Sequence, residues 1–416
     1  MSTNSRTDII NWANGTNYDI VGDIRNVWLG RGNDTFKISG NANIISTGDG
    51  NDTIDVGGNV SHVDAGNGDD NVVIGGSAGS VYLGGGNDTL KVGGNLDCLS
   101  SGCGSGDDTV SVGGNLKHAN LGDGNNRLTV GGNADCVHMG SGNDKLVVQG
   151  DLNYANMGFG NNCTVVTKNI GTIIGYNGID NVRAGADLKY AFLHDGDNTI
   201  LAESNAGYLH TGNGHDKVLV AKDLQHANLG SGNNQIYVGG NVNDSVIGYH
   251  ENDTVYVSGN LRNAWLHGGD DKLVVEGSTN YVYLGDGQDK AWIGTNECIV
   301  DASCGNDSLY VGNNKGRVYM GTGDDKLVLG SFANNTHVDG GHGQDTLTLV
   351  GDASDYKVDK TAWGWSTVTE LATGNKMTAW WFEEVNFVAD APSAENIVGD
   401  NILGFTDAIY GTPCFQ

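Results

Sequence analysis

The chain has 416 residues, 68 of them glycine and 2 proline, with 50 acidic against 22 basic side chains and a net charge of −28. Glycine at that level without a Gly-X-Y period excludes collagen, and 38% hydrophobic residues is too many for a disordered tract. The charge disfavours nucleic acid and anionic membrane as partners and favours cations, basic surfaces or neutral polymers.

The first stretch, MSTNSRTDIINW, lacks a basic-then-apolar leader, and residues 1–14 read as an N-terminal cap or tail. No run of 18 apolar residues follows anywhere, so no transmembrane segment is expected. A repeat begins at residue 15 with NGTNYDIVGDIRNVWLG and becomes strict at Asp34. Asp52, Asp70 and Asp88 follow at steps of 18. The register continues through Asp108, Asn126, Asp144, Asn162, Asp180, Asn198, Asp216, Asn234, Asp253, Asp271, Asp289, Asp307, Asp325 and Asp345. The steps 88–108 and 325–345 are 20 residues, and 234–253 is 19.

Each unit has the same internal pattern. Leu128 and Val130 alternate with Arg127 and Thr129, which predicts a strand with one buried face. GGN at 131–133 reads as a turn, since Gly and Asn tolerate positive φ. Ala134, Val137 and Met139 form a second apolar set, and GSGN at 140–143 turns the chain again to deliver Asp144. In the unit at 216, Val218, Val220, Leu224, Ala227 and Leu229 take the inward places. Two short strands and two tight turns make one flattened coil. The predicted fold is all-β: a right-handed parallel β-roll, or β-solenoid, of about 18 coils of 18 residues over 15–345, with coils about 4.8 Å apart.

That stacking would line up one carboxylate per coil along one edge. Bare carboxylates about 5 Å apart repel by roughly 1 kcal/mol per pair in water and by more when desolvated. A hard divalent cation removes that penalty, and calcium takes carboxylates and backbone carbonyls together. GRGND at 30–34, GDGND at 48–52, GNGDD at 66–70, GGGND at 84–88, GSGND at 140–144, GNGHD at 212–216, GDGQD at 285–289, GTGDD at 321–325 and GGHGQD at 340–345 resemble hemolysin-type calcium-binding (RTX) repeats. The resemblance covers roughly residues 15–350 and implies a β-roll holding multiple calcium ions, disordered without calcium and folded with it. Asp34, Asp52, Asp70, Asp88, Asp108, Asp144, Asp180, Asp216, Asp253, Asp271, Asp289, Asp307, Asp325 and Asp345 are the expected metal ligands, each ion shared by adjacent coils.

Two departures from the family pattern stand out. The second turn of the coil reads GGN or similar, with Asn59, Asn95, Asn115, Asn133, Asn241 and Asn260 in one column, so one calcium edge and one neutral edge held by side-chain amides are expected. Asp alternates with Asn from Asp108 to Asn234, which predicts weaker or empty central sites. The turns before Asp180, Asn198, Asp253 and Asp271 also lose a glycine.

The outward column of the first strand is polar early (Lys37, Asp55, Lys91, Ser111) and apolar later, at Leu201, Leu219, Tyr237, Tyr256, Val274, Trp292 and Tyr310. A contiguous apolar stripe predicts a packing or self-association surface, or a platform for glycan rings at a cell surface. Ice binding ranks lower, because the threonine column after the aspartates is broken by Lys145, Lys217, Lys272, Lys290 and Lys326. The histidines, including His62, His118 and His226, read as strand decoration, and the seven cysteines show no zinc-ligand spacing. No nucleophile elbow or phosphate loop is present, so no catalytic residue and no enzyme activity are expected. Residues 346–390 read as a hairpin-rich cap, and 391–416 as a tail compatible with a type I secretion signal. The expected role is an extracellular calcium-stabilised structural, adhesive or self-associating protein, the alternative being a secreted effector or carbohydrate-binding protein.

Overall fold

The structure, a computed structural model, describes residues 8–102, 104–361, 363–394 and 402–416. The chain is an all-β parallel β-solenoid with coils of about 18 residues. It divides into two compact units, Met1–Leu193 with Phe415, and His194–Cys414 with Gln416.

In the first unit, Thr35–Ile38 pairs in parallel with Thr53–Val56, Thr35 opposite Thr53 and Phe36 opposite Ile54. The strand Thr53–Val56 pairs onward with Asn71–Ile74. The second wall repeats this with Ala42–Ser46 beside Val60–Asp64. A slip of one residue would turn Ile54 and Val56 to solvent, so the alternation itself specifies the register. The 20-residue step is absorbed in the turn, because Leu96 still faces Leu116 and Ser100 still faces Asn120.

The second unit repeats the scheme, with Thr199–Ala202 beside Lys217–Val220 and Ala206–His210 beside Leu224–Gly230. Its distal end is closed by antiparallel strands Tyr356–Lys360, Trp365–Glu370 and Lys376–Trp380. The last of these rejoins the solenoid in parallel beside Thr336–Asp339, and Glu384–Val388 covers Thr346–Val350.

The core is a file of small and medium apolar side chains, such as Ile54, Val56, Val60, Val63 and Ala65, all buried. The inward residues expected at 128, 130, 134, 137 and 139, and at 218, 220, 224, 227 and 229, are all buried. Each coil carries too few of them to hold alone, so stability accumulates between neighbours.

The GGN corner differs from expectation. Gly131 and Gly132 do not adopt positive φ. They are required by space: a Cβ on Gly131 would lie 2.4 Å from the Gly113 carbonyl oxygen, and one on Gly132 would lie 2.2 Å from Asn115 Oδ1. Close coil stacking, invisible in a single unit, sets that requirement.

Candidate metal-binding edge

The other corner is where positive φ is used. Gly48 (φ 93°) and Gly50 (φ 133°) turn the chain so that the side chain of Asp52 enters the coil. All fourteen column aspartates, from Asp34 to Asp345, are buried, none more than 2% exposed. Where the sequence loses a glycine at this corner, the backbone holds its shape at a cost: His194, Glu251, His267 and Ser303 all have φ between 57° and 78°. Asp180 and Asp253 depart from the rest. A Cβ on Gly175 would lie 1.7 Å from Asp180 Oδ2, and one on Gly248 would lie 1.9 Å from Asp253 Oδ2, so these carboxylates lean on their own turn.

One oxygen of each carboxylate is engaged by the neighbouring coil. Asp52 Oδ1 accepts the N–H of Asp34 at 2.8 Å, and Asp70 Oδ1 that of Asp52 at 2.7 Å. In the second unit Asp271, Asp289, Asp307, Asp325 and Asp345 repeat the contact at 2.7 to 2.9 Å. The ladder ends on Glu383, whose Oε2 accepts the Asp345 N–H at 2.7 Å. Sequence reasoning missed Glu383, because it stands 38 positions beyond Asp345, in the cap, where no periodicity reaches it.

In twelve of the column aspartates the second oxygen has no hydrogen-bond partner: Oδ2 of Asp34, Asp52, Asp70, Asp88, Asp144, Asp216, Asp253, Asp271, Asp289, Asp307, Asp325 and Asp345 is buried without one. The asparagines of the same column show what surrounds that position. Asn126 Nδ2 donates to the carbonyls of Gly122, Gly124 and Met139, each at 3.2 Å. Asn198 Nδ2 donates to those of His194, Gly196 and Thr211 at 3.2, 2.9 and 2.9 Å. Asn234 Nδ2 repeats this with Gly230 and Gly232. By the register of the repeat, Oδ2 of Asp70 faces the carbonyls of Gly66, Gly68 and Leu83. An anion there meets only acceptors, an arrangement that demands a cation or a proton.

The electrostatics follow. Burial pushes the carboxyls of Asp70, Asp144, Asp180, Asp216, Asp253 and Asp325 up to about 7. Asp271 and Asp307 rise to about 8 by burial, with the flanking aspartates adding their charge. Asp88 and Asp289 reach about 6. Their Oδ1 hydrogen bonds oppose the rise without cancelling it.

A carboxylate oxygen beside several carbonyls fits a hard, oxygen-seeking cation such as calcium. Among the described residues, no three His, Cys, Asp or Glu side chains gather round one point. The donor set is therefore one Oδ2 plus backbone carbonyls. Oδ1 of each carboxylate accepts the N–H of the neighbouring coil, as Asp52 does from Asp34. At Asn126, Asn198 and Asn234 the amide nitrogen occupies the corresponding position and donates to these carbonyls.

Two further ladders flank this one. In the exposed column just before it, Asn51 N–H donates to Asn33 Oδ1 at 3.0 Å and Asp69 N–H to Asn51 Oδ1 at 3.0 Å. At the GGN corner, Asn133 N–H donates to Asn115 Oδ1 at 2.8 Å. The neutral edge is thus held by side-chain oxygens accepting backbone N–H groups.

The apolar stripe is not the open surface expected of it. Leu201, Leu219 and Val274 are buried and Tyr310 is 9% exposed, while Tyr237, Tyr256 and Trp292 are half-buried. The helix Ile402–Tyr410 packs on the strands Thr199–Ala202 and Lys217–Val220, which carry Leu201 and Leu219. Trp292 Nε1 donates to the Pro392 carbonyl at 3.1 Å. The chain's own C-terminal segment covers part of the stripe, and alternation within a strand cannot show which remote segment returns to it. The thiols of Cys98, Cys136, Cys298 and Cys304 are free, and Cys103 lies outside the described residues.

Compared with profiles of known protein families and with curated protein sequences, the chain matches none. Among the described residues, no helix is long and apolar enough to cross a membrane.

Proposed function

We propose that this chain is a calcium-stabilised β-roll of the hemolysin-type (RTX) kind, serving as a non-enzymatic structural or adhesive element outside the cell. One observation carries the reading: twelve buried Oδ2 atoms lack partners, in positions that asparagine amides elsewhere in the column fill with donors to carbonyls. Calcium bound there supplies the positive charge that the line of carboxylates lacks. Oδ2 of each column aspartate and the carbonyls of its turn, such as Gly66 and Gly68 for Asp70, would hold it. The glycines keep those carbonyls turned inward. Asn126, Asn162, Asn198 and Asn234 leave their coils without an ion site, so the central stretch depends less on calcium than the ends. A donor set with a single carboxylate suits the weak affinity of extracellular calcium modules.

Folding and binding are coupled in this reading, because the ionised ladder expands the chain until cations neutralise it. Circular dichroism with chelator and then calcium tests it, alongside a count of bound ions by equilibrium dialysis. A partial loss of β signal on chelation at pH 8, from the aspartate-rich ends and not from the central coils, and its return with calcium are expected. A β spectrum indifferent to chelator, with no calcium retained on dialysis, would refute it.

A second reading has its own support. Carboxyls pushed to about 7 can be neutralised by protons, each Oδ2–H then donating to a carbonyl. In that case the chelated chain would stay folded below pH 6 and gain nothing from calcium at pH 8.

A further inference from the structure

Outside the aspartate edge, the first unit places three soft-metal donors on two adjacent strands, a grouping that no local spacing announces. Cys136 and His138 lie two residues apart on the strand Ala134–His138 and face outward, with Cys136 Sγ 3.5 Å from His138 Nε2. His118 lies on the adjacent strand Leu116–Asn120, in register with Cys136. Parallel strands are about 4.8 Å apart, so the two residues lie side by side across the sheet. His118 and His138 are exposed and Cys136 is half-buried.

We propose that His118, Cys136 and His138 bind a zinc-class divalent ion, with a fourth coordination position open to water. The geometry supports this quantitatively. A tetrahedral zinc ion with Zn–S of about 2.3 Å and Zn–N of about 2.0–2.1 Å sets its sulfur and nitrogen ligands about 3.5 Å apart. The Cys136–His138 pair already stands at that separation. Among the described residues no third such donor yet converges with them, so binding brings the exposed His118 ring over by rotation about its side-chain bonds. The Tyr154 ring lies 5.7 Å from that of His138, tilted by 53°, and limits where the imidazole can turn. Asp97 pairs with Lys117 Nζ at 2.7 Å, and Asp135 also acts on that ammonium, so carboxylates outnumber the ammonium beside His118.

Cys98 does not use up the thiol. It faces His118 from the other side, which puts it two strands, or about 9.6 Å, from Cys136. That exceeds the Cα separation a disulfide can span. Thiolate and imidazole donors prefer zinc-class ions to calcium, so this site and the aspartate edge take different metals. The proposal does not rest on the calcium reading.

The test is a cobalt(II) titration of the full chain with calcium present, read by optical absorption and followed by zinc. The wild-type chain should develop a thiolate-to-cobalt charge-transfer band with the visible bands of four-coordinate cobalt, and zinc should erase them. Cys136→Ser should abolish the charge-transfer band. His118→Ala and His138→Ala should each weaken it and alter the visible bands, whereas Cys98→Ser and Cys298→Ser should leave both as in wild type. The altered side chains lie on the outer face, and circular dichroism verifies that each variant is folded. Absence of a thiolate band in the wild-type chain, its survival in Cys136→Ser, or an unchanged spectrum in His118→Ala would overturn the assignment.

Discussion

Replacing Asp216 by asparagine isolates the energetics of the buried ladder at one point. Asp216 is flanked in its column by Asn198 and Asn234, so no neighbouring column carboxylate complicates its charge. Its Oδ1 accepts the Asn198 N–H at 2.8 Å, a bond that an asparagine Oδ1 can keep. Its Oδ2 is buried without a partner, and in the variant an Nδ2 would stand there, facing the carbonyls of Gly212, Gly214 and Leu229 by the register of the repeat. Burial moves the Asp216 carboxyl from 3.8 to about 7, equivalent to ~4 kcal/mol of preference for the neutral form. Above pH 7 the metal-free folded chain bears that cost and the unfolded chain does not. Local relaxation reduces it, so Asp216→Asn should stabilise the surrounding coils by ~2 kcal/mol or more at pH 8 in chelator. Native-state hydrogen exchange of amides between 198 and 234 is the suitable assay, because a repeat array opens locally. Exchange there should slow roughly thirtyfold. At pH 4, where the wild-type carboxyl is already neutral in the folded chain, the gain should almost vanish. With calcium it should reverse in sign, since one ion site is lost. Faster exchange in the variant at pH 8 in chelator, or an equal gain at both pH values, would refute the reasoning.

The remaining predictions concern pH, spacing and the tail. The column carboxyls have folded values raised to about 6–8, so between pH 4 and pH 8 the metal-free folded state binds more protons than the unfolded one. Its stability should therefore fall as pH rises through that window, and saturating calcium should remove the decline; urea midpoints at four pH values with and without chelator will read this. Gly66→Ala places a Cβ 1.7 Å from the Gly48 carbonyl oxygen at φ 104°. It should lose at least ~1–2 kcal/mol from the left-handed backbone alone, seen as a lower melting temperature in calcium, while an unchanged melting temperature would contradict the coil spacing. Truncation after Val388 should bare Leu201 and Leu219, worth ~1.5–3 kcal/mol each when buried. Increased binding of a hydrophobic dye and concentration-dependent association in sedimentation are expected; a monomer with unchanged dye signal would show that the tail does not protect this face.

Much of this molecule is legible one coil at a time. The 18-residue period, the alternation of Leu128 with Thr129 and Val130, and the recurrence of Asp at one position together specify parallel strands, their register and a file of carboxylates. These features are local and repeated, so a sequence displays them many times over. What a single unit cannot display is the relation between units and between remote segments. The crowding that requires Gly131 and Gly132, the division of labour between Oδ1 and Oδ2, and the carbonyls facing Asn126 Nδ2 all depend on where the adjacent coil lies. Glu383 closing the ladder, the helix Ile402–Tyr410 lying over the stripe, and His118 standing beside Cys136 depend on chain returning from elsewhere in the molecule. Periodicity dictates which way a side chain points. Only the stacked coils and the returning tail decide what it meets there, because burial and pairing are properties of neighbours in space.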